Sequence, residues 1–146
     1  MINIKIGFNG TDKRVIGYLT SLYPRIIPAV MNTIDIQNLI LQQYIVTQKL
    51  SGQVLKHRTG KLAASVNVIP ARMEGTQIVG NVIAAGGPAW YGKIHEYGGT
   101  FTAKKKFKSY TITFPERSFM RSSFAERRAA IIDAIRITIA NELAKK

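Results

Sequence analysis

An α+β domain is the fold class this sequence predicts, and three observations predict it. Hydrophobic residues make up 46% of the 146 positions, enough for one domain, residues 1–146, to bury a core. Short runs alternate apolar and polar residues with a period of two, the signature of half-buried strands. Longer runs repeat apolar residues every three or four positions, the signature of amphipathic helices. Strands and helices are mixed along the chain without strict βαβ alternation. The expected architecture is therefore a small, mainly antiparallel sheet packed with a long central helix and a C-terminal amphipathic helix.

Each element has its own justification. In residues 2–8, Ile2, Ile4, Ile6 and Phe8 alternate with Asn3, Lys5 and Gly7, and Asn9-Gly10 ends the strand. Thr11 or Asp12 offers an N-cap for a short helix reaching about Tyr23, with Val15, Ile16, Leu19 and Leu22 on its apolar side. Pro24 and Pro28 break the pattern, so a second helix is expected from about Arg25 to Leu50. Its apolar stripe (Ile27, Val30, Met31, Ile34, Leu41 and Ile45, widened by Ile26, Ile36, Leu39 and Ile40) covers more than one face. Such a helix is either sandwiched within the fold or part of an oligomer contact. Ser51-Gly52 closes it, and residues 53–61 form a polar, basic connection. Strands follow at 65–70 and 76–85, joined by a loop at 71–75, with Gly80-Asn81 pointing to a bulge or bend. Tyr110, Ile112 and Phe114 alternate with Thr111 and Thr113 in a last strand, ended by Pro115. Ser118 or Ser122 offers a cap for the final helix, whose stripe is Phe124, Ile131, Ile132, Ile135, Ile139 and Leu143, with Arg127, Arg128, Arg136 and Lys145 outward.

Between these elements lies an aromatic knot, residues 90–100. It holds the sole Trp, Tyr91 and Tyr97, and the pair His95-Glu96. Aromatic rings with polar tips suit either a core or a seam between subunits. His95-Glu96 opens like the zinc-protease motif, but that motif needs a second His four residues after the first, and position 99 is Gly. Glu96 is an isolated carboxylate among bases, so an ion pair with Arg58, Lys61, Arg117 or Arg121 is expected. Residues 101–109 read as a basic loop carrying Lys104, Lys105, Lys106 and Lys108, whose mutual repulsion favours mobility. Such a loop suits contact with DNA or with an acidic partner.

Composition narrows the function classes. Lys and Arg number 21 against 8 acidic residues, a formal net charge of +13, which favours nucleic acid or acidic protein surfaces as partners. No Cys is present, which removes disulfides, thiolate catalysis and cysteine-ligated metal. With only 2 His, no histidine-rich metal site is expected either, and no cofactor is implied. Ser65, Ser122 and Ser123 have no His-acid partners in any recognisable spacing, and no carboxylate pair stands out, so no catalytic residue is assigned. No run reaches the apolar length of a membrane span, and the first residues do not read as a signal peptide. The chain is expected to be soluble and to work, or be assembled, in a reducing compartment.

Three stretches, in this order, carry a resemblance. Arg58-Thr59-Gly60-Lys61-Leu62-Ala63-Ala64-Ser65-Val66 is similar to a signature of the form tG-x-L-x-x-S-I/V. Tyr91-Gly92-Lys93-Ile94-His95-Glu96-Tyr97-Gly98-Gly99-Thr100 resembles Y-A-x-x-x-E-[FY]-G-T. Residues 115–124, with Arg117, Phe119 and Arg121, resemble P-x-R-P-F-[LM]-R-P-A at the start of a C-terminal helix. Together, over residues 12–145, they resemble the tail-completion and head–tail joining proteins of tailed double-stranded-DNA bacteriophages, the minor tail protein Z-like group. Departures are Gly92 for Ala, an extra glycine at Gly98-Gly99, and Ser118 and Ser122 where that group prefers Pro. The resemblance implies a non-enzymatic virion component of the neck or upper tail, assembled in the host cytoplasm. Its implied partners are further copies in a ring, expected to be hexameric, adjacent neck and tail proteins, and possible contact with the DNA passing through; no membrane is involved. The residues it marks as structural or interface positions are Arg58, Gly60, Leu62, Ser65, Tyr91, Glu96, Tyr97, Gly98, Arg117, Phe119 and Arg121. A tail terminator ring and a basic nucleic-acid-binding module remain the alternatives.

Overall fold

Pro24 and Pro28 do not break the chain: one helix, α1 (Lys13–Tyr44), runs through both. The computed structural model describes residues 4–5, 13–51, 60–84, 90–105 and 108–145. A short helix and a second one starting near Arg25 were expected, and the structure merges them. An interior proline removes a hydrogen-bond donor and crowds the preceding turn. Both prolines, four residues apart, lie on the exposed side, where the freed carbonyls can face water. The buried row of Leu22, Val30, Ile34, Leu41 and Ile45 keeps helical spacing on the other side, and its burial outweighs the local cost. Helix α1 ends in a π-helical turn, Ile45–Lys49, in which the Leu50 amide donates to the Ile45 carbonyl at 3.0 Å.

The remaining elements are β1 (Ile4–Lys5), the single-turn helix α2 (Lys61–Ala64), β2 (Val66–Glu74), β3 (Gln77–Ala84), α3 (Trp90–Tyr97), β4 (Gly99–Lys105), β5 (Lys108–Phe114) and α4 (Met120–Ala144). The class is α+β. One sheet has the order β1-β3-β2, with β1 antiparallel to β3 through Ile4↔Ile78 and Lys5↔Gln77, and the other is the pair β4-β5. The other expected strand positions in 2–8 and the caps Thr11 and Asp12 lie outside the described residues, as do Arg58 and Lys106.

Three further sequence expectations are corrected. The loop expected at 71–75 is strand: β2 continues to Glu74 and turns at Gly75, whose φ of 62° favours glycine. Pro70 is tolerated because β2 is at the sheet edge, and the next amide, of Ala71, donates to Asp35 Oδ1 at 2.6 Å. The basic loop expected at 101–109 is largely a hairpin, with Lys104 and Lys105 ending β4 and Lys108 opening β5. Cross-strand pairing from Gly99↔Phe114 to Lys105↔Lys108 outweighs the repulsion that favoured a loop. Arg127 does not point fully outward: it is half-buried, one helical repeat from buried Ser123 and from buried Ile131.

The chain divides into two compact units. One comprises Met1–Ile40, Val68–Val82 and Arg127–Lys146; the other comprises Leu41–Asn67 and Ile83–Glu126. In the first, Val30, Ile34, Ile78, Val79, Ile131 and Ile135 form the core. Gly80 is required there by close approach, since a Cβ would lie 2.5 Å from Ile34 Cγ2 and 2.6 Å from Asn38 Nδ2. Thr33 and Thr138 share a hydroxyl hydrogen bond of 2.8 Å, and the Arg25 guanidinium donates to the Glu142 carbonyl at 2.8 Å. In the second unit, Leu41, Ile45, Leu50, Val66 and Phe119 are buried. The Gln42 amide donates to the Val66 carbonyl at 2.6 Å, and Lys49 Nζ meets Glu126 Oε1 at 2.7 Å.

Candidate functional site

Helix α4 begins without an acidic residue in its first turn, in a basic stretch of chain. The first N–H groups of any helix have no partner within it, and they carry the positive end of the helix dipole. Here a carboxylate from another element supplies what the first turn lacks. Glu96, near the end of α3, is buried and turned onto this helix start. Its Oε2 accepts from the amides of Phe119 at 2.8 Å and Met120 at 2.9 Å. Its Oε1 accepts from the Arg121 amide at 2.9 Å, the Ser118 hydroxyl at 2.9 Å and Arg121 Nε at 3.1 Å. Burial by itself would raise the carboxyl's pKa. The hydrogen bonds from Met120, Arg121, Phe119 and Ser118 outweigh it and hold the group below the usual carboxylate range.

The clamp is reciprocal. Arg121 Nη2 donates to the Glu96 backbone carbonyl at 2.9 Å, at the end of α3, and to Glu116 Oε1 at 2.6 Å. Its guanidinium also lies 4.6 Å from the centre of the exposed Tyr97 ring. Glu96 thus caps the start of α4 while Arg121 caps the end of α3. The Arg117 amide donates to the His95 carbonyl at 2.7 Å. His95 is itself held below its ordinary pKa by burial and by the nearby Arg117 charge.

Two glycines let the backbones come this close. At Gly98, φ is 65°, and a Cβ would lie 2.8 Å from the Glu116 amide nitrogen and 3.0 Å from the Phe114 carbonyl. At Gly92 a Cβ would lie 2.8 Å from Leu62 Cδ1 and 3.7 Å from Phe119 Cζ. Leu62 belongs to α2, which opens at Gly60 with φ 68° and closes as the Ser65 hydroxyl donates to the Leu62 carbonyl at 2.7 Å. The glycine standing where the similar signature has Ala therefore makes room for Leu62.

The marked residues fall into three groups. Gly60, Leu62, Ser65, Glu96, Tyr97, Gly98, Arg117, Phe119 and Arg121 all lie in the second unit, and contacts through Gly92, Glu96 and Arg121 link the three stretches that carry them. The Lys104, Lys105 and Lys108 positions lie instead at the far end of the β4–β5 hairpin. Arg58, Lys106 and the side chain of Tyr91 lie outside what is described. Of the bases expected to pair with Glu96, Arg121 makes the ion pair. The sequence reading missed the backbone amides of residues 119–121 as the main ligands of Glu96. The signal for them was a helix start with no acid of its own.

Chemically, this carboxylate is saturated. Its lone pairs are taken by amides, a hydroxyl and a guanidinium, which leaves it to hold α3 against the first turn of α4 rather than to accept a substrate proton. Among the described residues no group of His, Asp or Glu side chains gathers as a metal-ligand set, and no helix is long and apolar enough to cross a membrane. Comparison with family models, with curated protein sequences and with solved structures gives no match for this chain.

Proposed function

We propose that this protein is a non-enzymatic virion component of the neck or upper tail of a tailed double-stranded-DNA bacteriophage. It completes the head–tail connection through ring-forming contacts between copies and with neighbouring neck or tail proteins. The observation that carries this reading is the meeting of the three signature stretches. Widely separated in sequence, they converge on one clamp built from Leu62, Gly92, Glu96, Phe119 and Arg121, with Glu96 and Phe119 buried at its centre.

Self-association has its own support. Ile36, Leu39 and Ile40 are exposed together on one face of α1, at the spacing of neighbours on a helix. A ring needs that patch to meet a different patch on the next copy. The test is imaging of assembled phage particles carrying a tagged copy of this chain. A symmetric ring of tag at the neck or upper tail, hexameric in the simplest case, is expected. Purified infectious particles that lack the tag overturn the proposal. The net charge of +13 favours one second reading, a nucleic-acid-binding module. A steep fall of DNA affinity with salt, together with absence from the virion, selects that reading instead.

A further inference from the structure

The β4–β5 ribbon has features that neither the clamp nor a ring through α1 uses. Its register places Phe101 opposite Ile112 and Ala103 opposite Tyr110 on one face, with Thr100 opposite Thr113 and Thr102 opposite Thr111 on the other. Phe101, Tyr110 and Ile112 are 43%, 48% and 45% exposed, and the threonines behind them are exposed as well. The ribbon's base is held firmly. Phe114 packs edge-on against His95 and Phe101, each at 6.0 Å between ring centres, and Gly98 brings the chain against Glu116. Beyond that base, neither face is covered among the described residues. Among the described residues the sheet has these two strands alone, and each has an outer edge with no ladder partner among them. A two-stranded ribbon with both faces in water is marginal alone, and its open edges are templates for another strand.

The end of the ribbon is basic: Lys105 pairs across from Lys108, and Lys104 from Ser109. The described carboxylates are engaged at other places. Glu74, Glu116, Glu126, Asp133 and Glu142 pair with Arg72, Arg121, Lys49, Arg136 and Lys145, Glu96 is in the clamp, and Asp35 takes the Ala71 amide. A second copy of this +13 chain therefore has few acids to offer the lysines. Nucleic acid fits less well than protein, because the bases are confined to one end while the middle of the contact face is Phe101, Tyr110 and Ile112.

We propose that the β4–β5 ribbon is a docking surface for an extended segment of a different protein, one with alternating apolar residues and an acidic flank, which joins it as a third strand. Main-chain hydrogen bonds along an open edge supply the attachment, the apolar side chains cover Phe101 and Ile112, and the acids meet the lysine end. This inference is independent of the ring through α1.

The test uses the full chain and a labelled peptide that alternates valine and threonine and ends in a run of glutamates. Saturable binding is expected, with new protection of backbone amides from hydrogen exchange along β4 or β5. Ile112→Thr keeps a strand-compatible side chain, and changing Lys104, Lys105, Lys106 and Lys108 to Gln removes the charge. Each variant is expected to weaken binding by about tenfold or more while the thermal melt stays in place. Replacing the glutamates of the peptide with glutamine is expected to cost as much as changing the lysines. Absence of peptide binding, or peptide binding that Ile112→Thr leaves unchanged, overturns the proposal. So does duplex DNA binding at this ribbon in place of the peptide, or edge amides protected by self-association before any peptide is added. Leu39→Lys, which tests the ring, is expected to leave peptide binding intact, so the two readings fail separately.

Discussion

Glu96 draws its importance from what surrounds it rather than from its own reactivity. Replacing it with glutamine keeps the shape but turns an NH2 group toward N–H donors and leaves the buried helix start without its negative partner. Glu96→Gln is expected to lower stability by about 1–3 kcal/mol in urea unfolding at neutral pH. The pH dependence has a definite sign. The folded-state pKa lies below the ordinary value, so the contribution is complete above the ordinary range and is lost as pH falls through the folded value. The gap between the native protein and Glu96→Gln should hold at neutral pH and narrow below about pH 4.3. A gap that stays constant down to pH 3 contradicts the clamp. Gly98→Ala meets both the left-handed backbone and the Glu116 amide, and should cost more than the roughly 1–2 kcal/mol of the backbone strain alone. A melt within error of the native protein would show that the close approach is not required.

At the scale of elements, α1 is held by its packed face against its own local chemistry. Pro28 is exposed within this helix, so its ring contributes crowding and a missing donor without buried contacts in return. Pro28→Ala should raise stability by about 1–2 kcal/mol, the helix gain less what proline takes from the unfolded chain's freedom. A lower melting temperature would mean that the proline bend is itself needed for packing. The opposite sign applies where α1 meets β3. Gly80→Ala pushes a methyl group into Ile34 and Asn38 and should destabilise by about 1–3 kcal/mol. Chemical denaturation of both variants reads the contrast directly.

For the whole molecule, charge and exposed apolar surface are the properties that matter. Leu39 is 55% exposed and contributes nothing to either core, so Leu39→Lys should move stability by no more than about 0.5 kcal/mol. If copies associate through this face, the same change should abolish ring formation under native mass spectrometry and remove the chain from particles. Normal incorporation of Leu39→Lys would place the ring contact on another surface. The high positive charge should also make any contact with acidic partners weaken as salt rises, within the reach of screening of about 8 Å at physiological ionic strength.

The α+β class, the strand alternation in residues 110–114 and the amphipathic run through Val30 and Ile34 are legible in the sequence, because each is a local periodicity that burial on one side imposes. The pairing of Glu96 with Arg121 was within reach for a related reason: a lone acid among bases has few choices. Three things were decided only by tertiary structure. Helix α1 passes through its prolines because burial of a distant face outweighs a local penalty. Residues 71–74 and 101–105 join strands because cross-strand partners exist for them, and a local reading of turn residues or like charges cannot see those partners. Glu96 takes the amides of Phe119, Met120 and Arg121 because the backbone N–H groups at a helix start exist as a site only once the helix has formed and another element has been brought to it.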